Sequence, residues 1–506
     1  MFHLRTTKTA SNATAVQIVR YNYRKRIVVK HIGSAHTPEE IISLKETARN
    51  WIEQETRQQR LFPEDIKLTL TPIEKCEYLD TRYSFIYETL SHLLRLLQFD
   101  IPHNQLLLDL VIMRIIKPVS KLESLEYLSE MFGITYKRGN LYEIISSFSA
   151  LKNIVEKKAV MFAKQNLQFD FSIVFYDVTT LYFESFRQDR DEFRKPGFSK
   201  DNKANQPQIV IGLIVTKEGF PVSYDVFAGN TFEGKTFIPT ITKFKNTYEI
   251  KNLTVVADAA MISYPNVQSL ITNGLSYIVG ARMASLKKPE IEEVNQKLSG
   301  KEESLKKLKK KDGLSTRIET DRGTLICDFS FKRYLKDKRE MDKQIVKAKK
   351  LLEENEGTKR VKFIKNKDDE KTEQVLNTNL IEKTKQLLGI KGYYTNLTDE
   401  TDKAIIDHYH SLWKVEKAFR IAKSDLEARP VFHHKKENIL AHILICFMAL
   451  AICKYMELKT GKSTKKIVKL LKSITEARMK NLLTGKIFLM RKEVSDEVNR
   501  LQQLLL

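Results

Sequence analysis

Cysteine is scarce in this chain, and its placement excludes two whole classes of protein. The four cysteines, Cys76, Cys327, Cys446 and Cys453, form no Cys-x-x-Cys pair among 506 residues. That spacing argues against a zinc finger and against a disulfide framework, and it fits a reducing compartment. Cys446 and Cys453 stand seven apart on an apolar helical pattern and read as small core residues. The ten histidines show no ligand spacing either; His433 and His434 are adjacent and read as a loop pair. Long apolar runs are missing as well. The longest, Ile439 to Ile452, is expected to be too short and too interrupted to cross a bilayer. The opening Met1-Phe-His-Leu-Arg5 is followed by Thr, Lys and Ser, unlike a secretory signal. No internal repeat or low-complexity tract stands out. The expectation is a soluble protein of the cytoplasm.

What the chain has in excess is positive charge. Its 86 Lys and Arg against 63 Asp and Glu leave +23, with an isoelectric point near 9.5. Such an excess draws polyanions through long-range potential and counterion release. Nucleic acid is the expected partner, and an anionic membrane surface is the alternative. A hydrophobic content of 42% beside 29% charged residues is ordinary for a globular protein. The length suffices for roughly two to four domains.

The pattern along the chain predicts six segments. Residues 1–60 read as a hairpin and a helix. Thr14-Ala-Val-Gln-Ile-Val-Arg20 and Arg26-Ile-Val-Val-Lys-His-Ile32 flank a basic tip of Arg20, Arg24, Lys25 and Arg26. Thr37-Pro-Glu-Glu40 then has capping-box spacing with proline at the first helical position. Residues 61–167 are helical, punctuated by Pro102, Pro118 and Gly133, and suit DNA-end binding or a plain scaffold. Residues 168–283 change to strand-like runs at 171–177, 207–216, 221–228, 253–258 and 275–280, with helices at 235–248 and 262–273. Residues 284–390 form a charged, folded insertion containing the run Lys301 to Lys311, a helix from Lys332 to Glu356, and strand-like pieces at 315–331 and 360–365. Residues 391–455 return to helix, amphipathic from Glu400 to Lys423 and strongly apolar from Ile439 to Tyr455. Residues 456–506 read as a basic helical tail.

Asp177 interrupts an apolar strand, Phe171-Ser-Ile-Val-Phe-Tyr176 continuing as Val178-Thr-Thr-Leu-Tyr-Phe183. β-branched and aromatic residues suit that position and a lone carboxylate does not. An ionised, unpaired carboxylate buried there would cost several kcal/mol, so it calls for a cation or a proton. Asp258 ends a second such run, Leu253-Thr-Val-Val-Ala257. Glu416 lies on a later helix where Tyr409, Leu412, Glu416, Phe419 and Lys423 follow at offsets of three, four, three and four, one face of a continuous helix. On that face Glu416 is expected to point toward the core side. Two strand-borne aspartates and one helix-borne glutamate make a candidate metal site, since three carboxylates are hard oxygen ligands and too anionic to gather without cations.

At these residues the chain resembles the ribonuclease-H-like DDE transposases. Tyr409-His-Ser-Leu-Trp-Lys-Val-Glu416-Lys-Ala-Phe-Arg-Ile-Ala-Lys423 is similar to the Tyr-x2-Arg-x3-Glu-x6-Lys signature of one group of bacterial insertion-sequence transposases. Leu412 stands where that signature has arginine, and Lys414 or Arg420 is left to supply the charge, although neither shares the face. Phe175-Tyr-Asp177-Val-Thr-Thr180, Val256-Ala-Asp258-Ala-Ala260 and Leu426-Glu-Ala-Arg-Pro-Val431 carry the same resemblance, which covers 170–285 and 390–455.

The resemblance implies an α/β fold: a ribonuclease-H-like mixed sheet flanked by helices and interrupted by an insertion. Beside it stand an N-terminal hairpin with a helical DNA-binding region and a helical C-terminus. It implies Asp177, Asp258 and Glu416 as catalytic ligands of two Mg²⁺ (or Mn²⁺) ions, and Tyr409, Lys423, Lys414 and Arg420 as DNA contacts. It also implies hydrolysis that exposes a 3′-OH at the element's end, followed by attack of that 3′-OH on target DNA. The expected partners are terminal inverted repeats, target DNA and a second copy of the chain in a synaptic homodimer. The expected setting is a bacterial cytoplasm, at the nucleoid when DNA is bound. Trp413 reads as a core residue.

Two other readings stand beside this one. A transposase-derived DNA-binding protein without catalysis keeps the fold and loses the chemistry. A nucleotide-binding protein is suggested by Gly229-Asn-Thr-Phe-Glu-Gly-Lys-Thr236, a complete Gly-x4-Gly-Lys-Thr. That motif needs a buried parallel strand before it and a phosphate-cradling turn into a helix. Here the strand before it belongs to an apparent antiparallel hairpin around Gly219.

Overall fold

A computed structural model describes residues 2–22, 25–56, 73–100, 104–184, 193–198, 205–261, 263–298, 314–353, 361–366 and 374–506. Arg24, Pro102 and the Lys301–Lys311 run lie outside the described residues. The described chain forms two compact units, one of residues 1–91, 125–136 and 465–506, the other of residues 92–124 and 137–464.

The first unit opens with three strands, not the two of a hairpin: β1 (Phe2–Lys8), β2 (Thr14–Asn22) and β3 (Lys25–Ala35), antiparallel in that order. The helix Pro38–Thr56 starts where the Thr37 hydroxyl accepts from the Glu40 amide at 3.4 Å. It buries Leu44 and Ala48 against Val16, Ile18 and Ala35. Strand β4 (Cys76–Arg82) forms the edge of a second sheet whose other strands come from the far end of the chain. The tail is therefore not wholly helical. The strands Glu476–Asn481 and Ile487–Arg491 form a hairpin before the final helix Asp496–Leu505.

The second unit is built on one eight-stranded mixed sheet. Its strands are β5 (Ile173–Tyr182), β6 (Gln208–Thr216), β7 (Pro221–Ala228), β8 (Thr254–Ala257), β9 (Ser276–Gly280), β10 (Leu314–Thr320), β11 (Gly323–Phe329) and β14 (Ile390–Thr395). The small pair β12 (Ile364–Asn366) and β13 (Gln374–Leu376) stands apart from it, and β15 and β16 are the tail hairpin. The order across the sheet is β10-β11-β14-β9-β8-β5-β6-β7. Strands β5, β6 and β7 are antiparallel neighbours, whereas β8 is parallel to both β5 and β9. Every residue of β6 is buried, which accounts for its unbroken Ile209-Val-Ile-Gly-Leu-Ile-Val215 where a one-sided strand would alternate.

The segment expected as an insertion is partly continuous with this sheet. Strands β10 and β11 join it through β14, and only the outer part has its own small core, of Met341, Ala348, Phe363, Ile381 and Leu388. The piece expected at 360–365 reduces to the short β12.

The apolar run Ile439–Ile452 lies within the helix Lys436–Thr460, 25 residues long. By length and composition this helix is sufficient to cross a membrane, contrary to the sequence expectation, but 94% of its most apolar window is buried inside the protein. It reads as the central helix of a packed core, all-round apolar because it is covered on all sides.

Candidate active site

Strands β5 and β8 run parallel, with Tyr176 opposite Ala257 as their last paired residues. One step further along each chain stand Asp177, midway along β5, and Asp258, just past the end of β8, so topology sets the two carboxylates at the same level on adjacent strands. Asp177 is half-buried, and its Oδ1 accepts from the Val178 amide at 2.7 Å. The Asp258 Oδ1 accepts from the Ala259 amide at 2.6 Å and from the Tyr409 hydroxyl at 3.3 Å.

The third carboxylate arrives on a helix that is not the continuous one its spacing suggested. Helix Asp402–His410 ends, two turn residues follow, and Trp413–Arg420 begins a new helix that passes into a π-helical turn at Ile421–Asp425. Val415, Ala418 and Phe419 are the side chains buried on this second helix, which packs on β5 and β6. Glu416 is exposed, turned out of the core and not toward it. Two contacts hold the helix in place. The Lys414 ammonium donates to the Lys217 carbonyl at 2.6 Å, and Lys417 pairs with the buried Glu457 at 2.7 Å.

Glu416 and Asp258 line one cavity of about 440 Å³, together with Tyr409, Trp413, Arg333 and Lys391. Asp177 is not among its lining residues. Trp413 is 52% exposed at this cavity and is not a core residue. Lys423 is turned elsewhere, lining a small apolar gap with Phe419 and Phe447, because the π turn adds rotation between it and Glu416. Lys414 is committed to the Lys217 carbonyl, and Arg420 is exposed outside the cavity. Of the four expected DNA contacts, only Tyr409 shares the cavity with the carboxylates.

Tyr409 reaches Asp258 because position 280 has no side chain. A Cβ on Gly280 would stand 2.4 Å from the Tyr409 hydroxyl. Burial first, and the Asp258 charge second, hold the Tyr409 pKa above its usual value, so the phenol stays protonated and donates. Gly280→Ala should therefore push the ring off Asp258 and lower any activity that depends on that carboxylate by about tenfold, the scale of one charged hydrogen bond. Tyr409→Phe should match it; activity unchanged in both would remove the hydroxyl from the chemistry.

Among the described residues, no three His, Cys, Asp or Glu side chains are gathered closely enough to hold an ion as they stand. The donor set itself suits a hard divalent cation. It consists of carboxylate oxygens, with no thiolate or imidazole ligand expected.

Residues 168–452, more than half of the chain, match the family model described as Transposase DDE domain. The chain belongs to that family. Among solved structures it resembles a piggyBac transposase synaptic complex with hairpin DNA, at 12% identity over 84% of this chain and 75% of the other, with a TM-score of 0.34. It also resembles a Mos1 transposase paired-end complex with left transposon end, at 15% identity over 46% and 66%, with a TM-score of 0.16. No curated protein matches it. The family assignment rests on the domain match alone.

Within this transposase-family chain, the cavity contains two cations that sequence reasoning missed. Arg333 comes from the helix Phe331–Glu353 and Lys391 from β14. The Lys391 ammonium lies 4.4 Å from the centroid of the Tyr409 ring. Burial and the neighbouring Arg333 charge lower its pKa, while Asp258 and Glu416 act to raise it. Leu412, at the signature's arginine position, lines the same cavity but is buried and apolar. Arg333 sits in a charged stretch where lysines and arginines are common, and Lys391 stands alone in the short strand Ile390–Thr395, where the sequence does not mark which distant group it faces.

The Gly229–Thr236 motif lacks the surroundings of a phosphate-binding loop. The strand before it, β7, is the sheet's edge and pairs antiparallel with β6. A Cβ on Gly229 would lie 2.1 Å from the Gln208 carbonyl, so this glycine serves strand packing and not ligand approach. The Thr236 hydroxyl is taken up by the Tyr176 hydroxyl at 2.7 Å.

Proposed function

We propose that this chain is a DNA transposase that cleaves at the ends of a bacterial insertion sequence and joins the freed 3′-OH to target DNA. The observation that carries the reading is the meeting of Asp258 and Glu416 on one cavity, with Asp177 on the adjacent strand β5, in a chain of the DDE family. The block β7-β6-β5-β8-β9, three antiparallel strands followed by two parallel ones, supports a ribonuclease-H-like core.

Asp177, Asp258 and Glu416 would hold Mg²⁺ or Mn²⁺. Two such ions, when bound, would supply the positive charge that an in-line phosphodiester displacement requires. The protein's own part is positional. Tyr409 orients Asp258, and Arg333 and Lys391 offer cationic donors to a phosphodiester facing the carboxylates. Trp413 offers an exposed ring at the rim against which a base can stack. Two DNA ends held together call for two copies of the chain, acting at the nucleoid in the cytoplasm.

The DNA path extends along the helix Phe331–Glu353. Its Lys332, Lys336, Arg339 and Lys343, at offsets of four, three and four, line a cleft of about 680 Å³ that shares Arg333 and His410 with the first cavity. Replacing Lys336, Arg339 and Lys343 by alanine should flatten the plot of log affinity against log salt by roughly two to three, at about 0.9 per phosphate contact. An unchanged slope would place the DNA elsewhere.

The decisive experiment offers the protein labelled duplex carrying the element's flanking ends, with Mg²⁺ or Mn²⁺. Metal-dependent nicking at the element boundary supports the proposal. Binding without nicking by either metal would leave a DNA-binding protein that has lost its chemistry.

A further inference from the structure

A second cavity in the same unit, about 320 Å³, is lined by two buried cations. Arg114, in the last turn of helix Gln105–Ile116, is 7% exposed, and Lys121, which opens helix Lys121–Phe132, is 8% exposed. Among the described residues no carboxylate forms an ion pair with either. The one acid in the lining, Glu427, is exposed.

The Lys121 ammonium donates to His442 Nδ1 at 2.8 Å, and His442 Nε2 donates to the Ala428 carbonyl at 2.9 Å. That second bond fixes the tautomer and leaves Nδ1 as a neutral acceptor. His442 therefore orients Lys121 without cancelling its charge. Burial, and then the Arg114 charge, bring the Lys121 pKa down to about 7. Burial and the same two cations bring His433, at the cavity wall, down to about 3.

A folded chain that buries two cations side by side carries a cost that an anion removes. We propose that this cavity binds a phosphate group of the DNA backbone, gripped by the Arg114 guanidinium and the Lys121 ammonium. A guanidinium fork and an ammonium point charge match a tetrahedral oxyanion. Tyr142 and Phe432, 65% and 64% exposed, stand in the lining and give a nucleotide attached to that phosphate a ring to lie against. The anion site rests on the buried cations alone; DNA as the carrier of the phosphate rests on the transposase reading.

The test uses the full chain, with inorganic phosphate and a labelled duplex as probes. The melting midpoint of the wild type should rise with phosphate concentration, against chloride at matched ionic strength, as ligand linkage requires. Lys121→Met should melt at or above the wild type without phosphate, since one unneutralised cation is gone, and should lose the rise. Arg114→Lys keeps the charge and should keep part of the rise, which guards against a Lys121 variant that does not fold. If the phosphate belongs to DNA, the Lys121 variant should also reduce the salt slope of duplex binding by about one. A lost midpoint response with an unchanged slope would overturn DNA as the source and leave a site for a free phosphate. A wild type indifferent to phosphate would overturn the site itself. Metal-dependent nicking by the wild type, scored separately, reports on the cleavage reading and not on this cavity.

Discussion

Glu416→Gln, Asp258→Asn and Asp177→Asn are each expected to stop DNA cleavage while leaving the binding of DNA ends within a few-fold of wild type. The amides preserve size and hydrogen-bonding reach but remove one negative charge from a site whose proposed work is to hold divalent cations. Loss on the order of 10²–10³-fold or more is expected, the scale seen when one group preorganised for transition-state charge is removed. Binding should survive because Arg333 and Lys391, the cations proposed to face the phosphodiester, are untouched. It should even tighten slightly, since each amide removes repulsion between a carboxylate and the DNA backbone. Nicking of labelled duplex beside a gel-shift titration reads both quantities. Cleavage at wild-type rate in the Glu416 or Asp258 variant would sink the assignment of the cavity. The same result for Asp177, which stands outside the cavity lining, would narrow the site to two carboxylates.

The second large effect is expected at the two cations. Arg333→Ala and Lys391→Ala should each lower cleavage by about 10- to 150-fold, the range of a charge-assisted hydrogen bond of about 1.5–3 kcal/mol. Unlike the carboxylate variants, they should weaken DNA binding as well, and the deficit should shrink as salt rises, because each variant makes one phosphate contact fewer. Lys391→Arg should recover part of the loss, because the charge remains while the fit over the Tyr409 ring changes. Full activity in both alanine variants would mean that the site manages without the arginine that Leu412 displaces. It would also mean that these two side chains serve the fold alone.

Much of the core was legible because its signals are local. The five runs from 171 to 280 became β5 to β9 within a few residues, since β-branched stretches bounded by turns have few other uses. Asp177 and Asp258 stood out because each ends or breaks such a run. Glu416 was found by its spacing from Tyr409, yet the picture of one continuous helical face was mistaken. The turn at Ser411 and Leu412 and the π turn after Arg420 rotate the segments against one another. That rotation takes Lys423 away from the carboxylates, exposes Trp413 and turns Glu416 outward. Helical periodicity holds only as far as the helix does.

The tail and the N-terminal strands were misread for another reason. The pieces 476–481 and 487–491 are short and show no clean alternation, and such strands are stabilised by partners from distant sequence, here β4. Propensity cannot report a partner some 400 residues away.

By itself, then, the sequence determined the positive charge, the strand-rich core, the order of the three carboxylates and the wide spacing of the four cysteines. These are properties of composition and of periodicity within single elements. Tertiary structure alone decided that β10 and β11 extend the central sheet. It alone brought Arg333 and Lys391 to the cavity of Asp258 and Glu416, and it buried Arg114 and Lys121 at one cavity with no ion-paired carboxylate among the described residues. The physical reason is the same in each case. Electrostatic neighbours are set by distance in space, and a charged side chain carries no mark in the sequence of which distant group it will face.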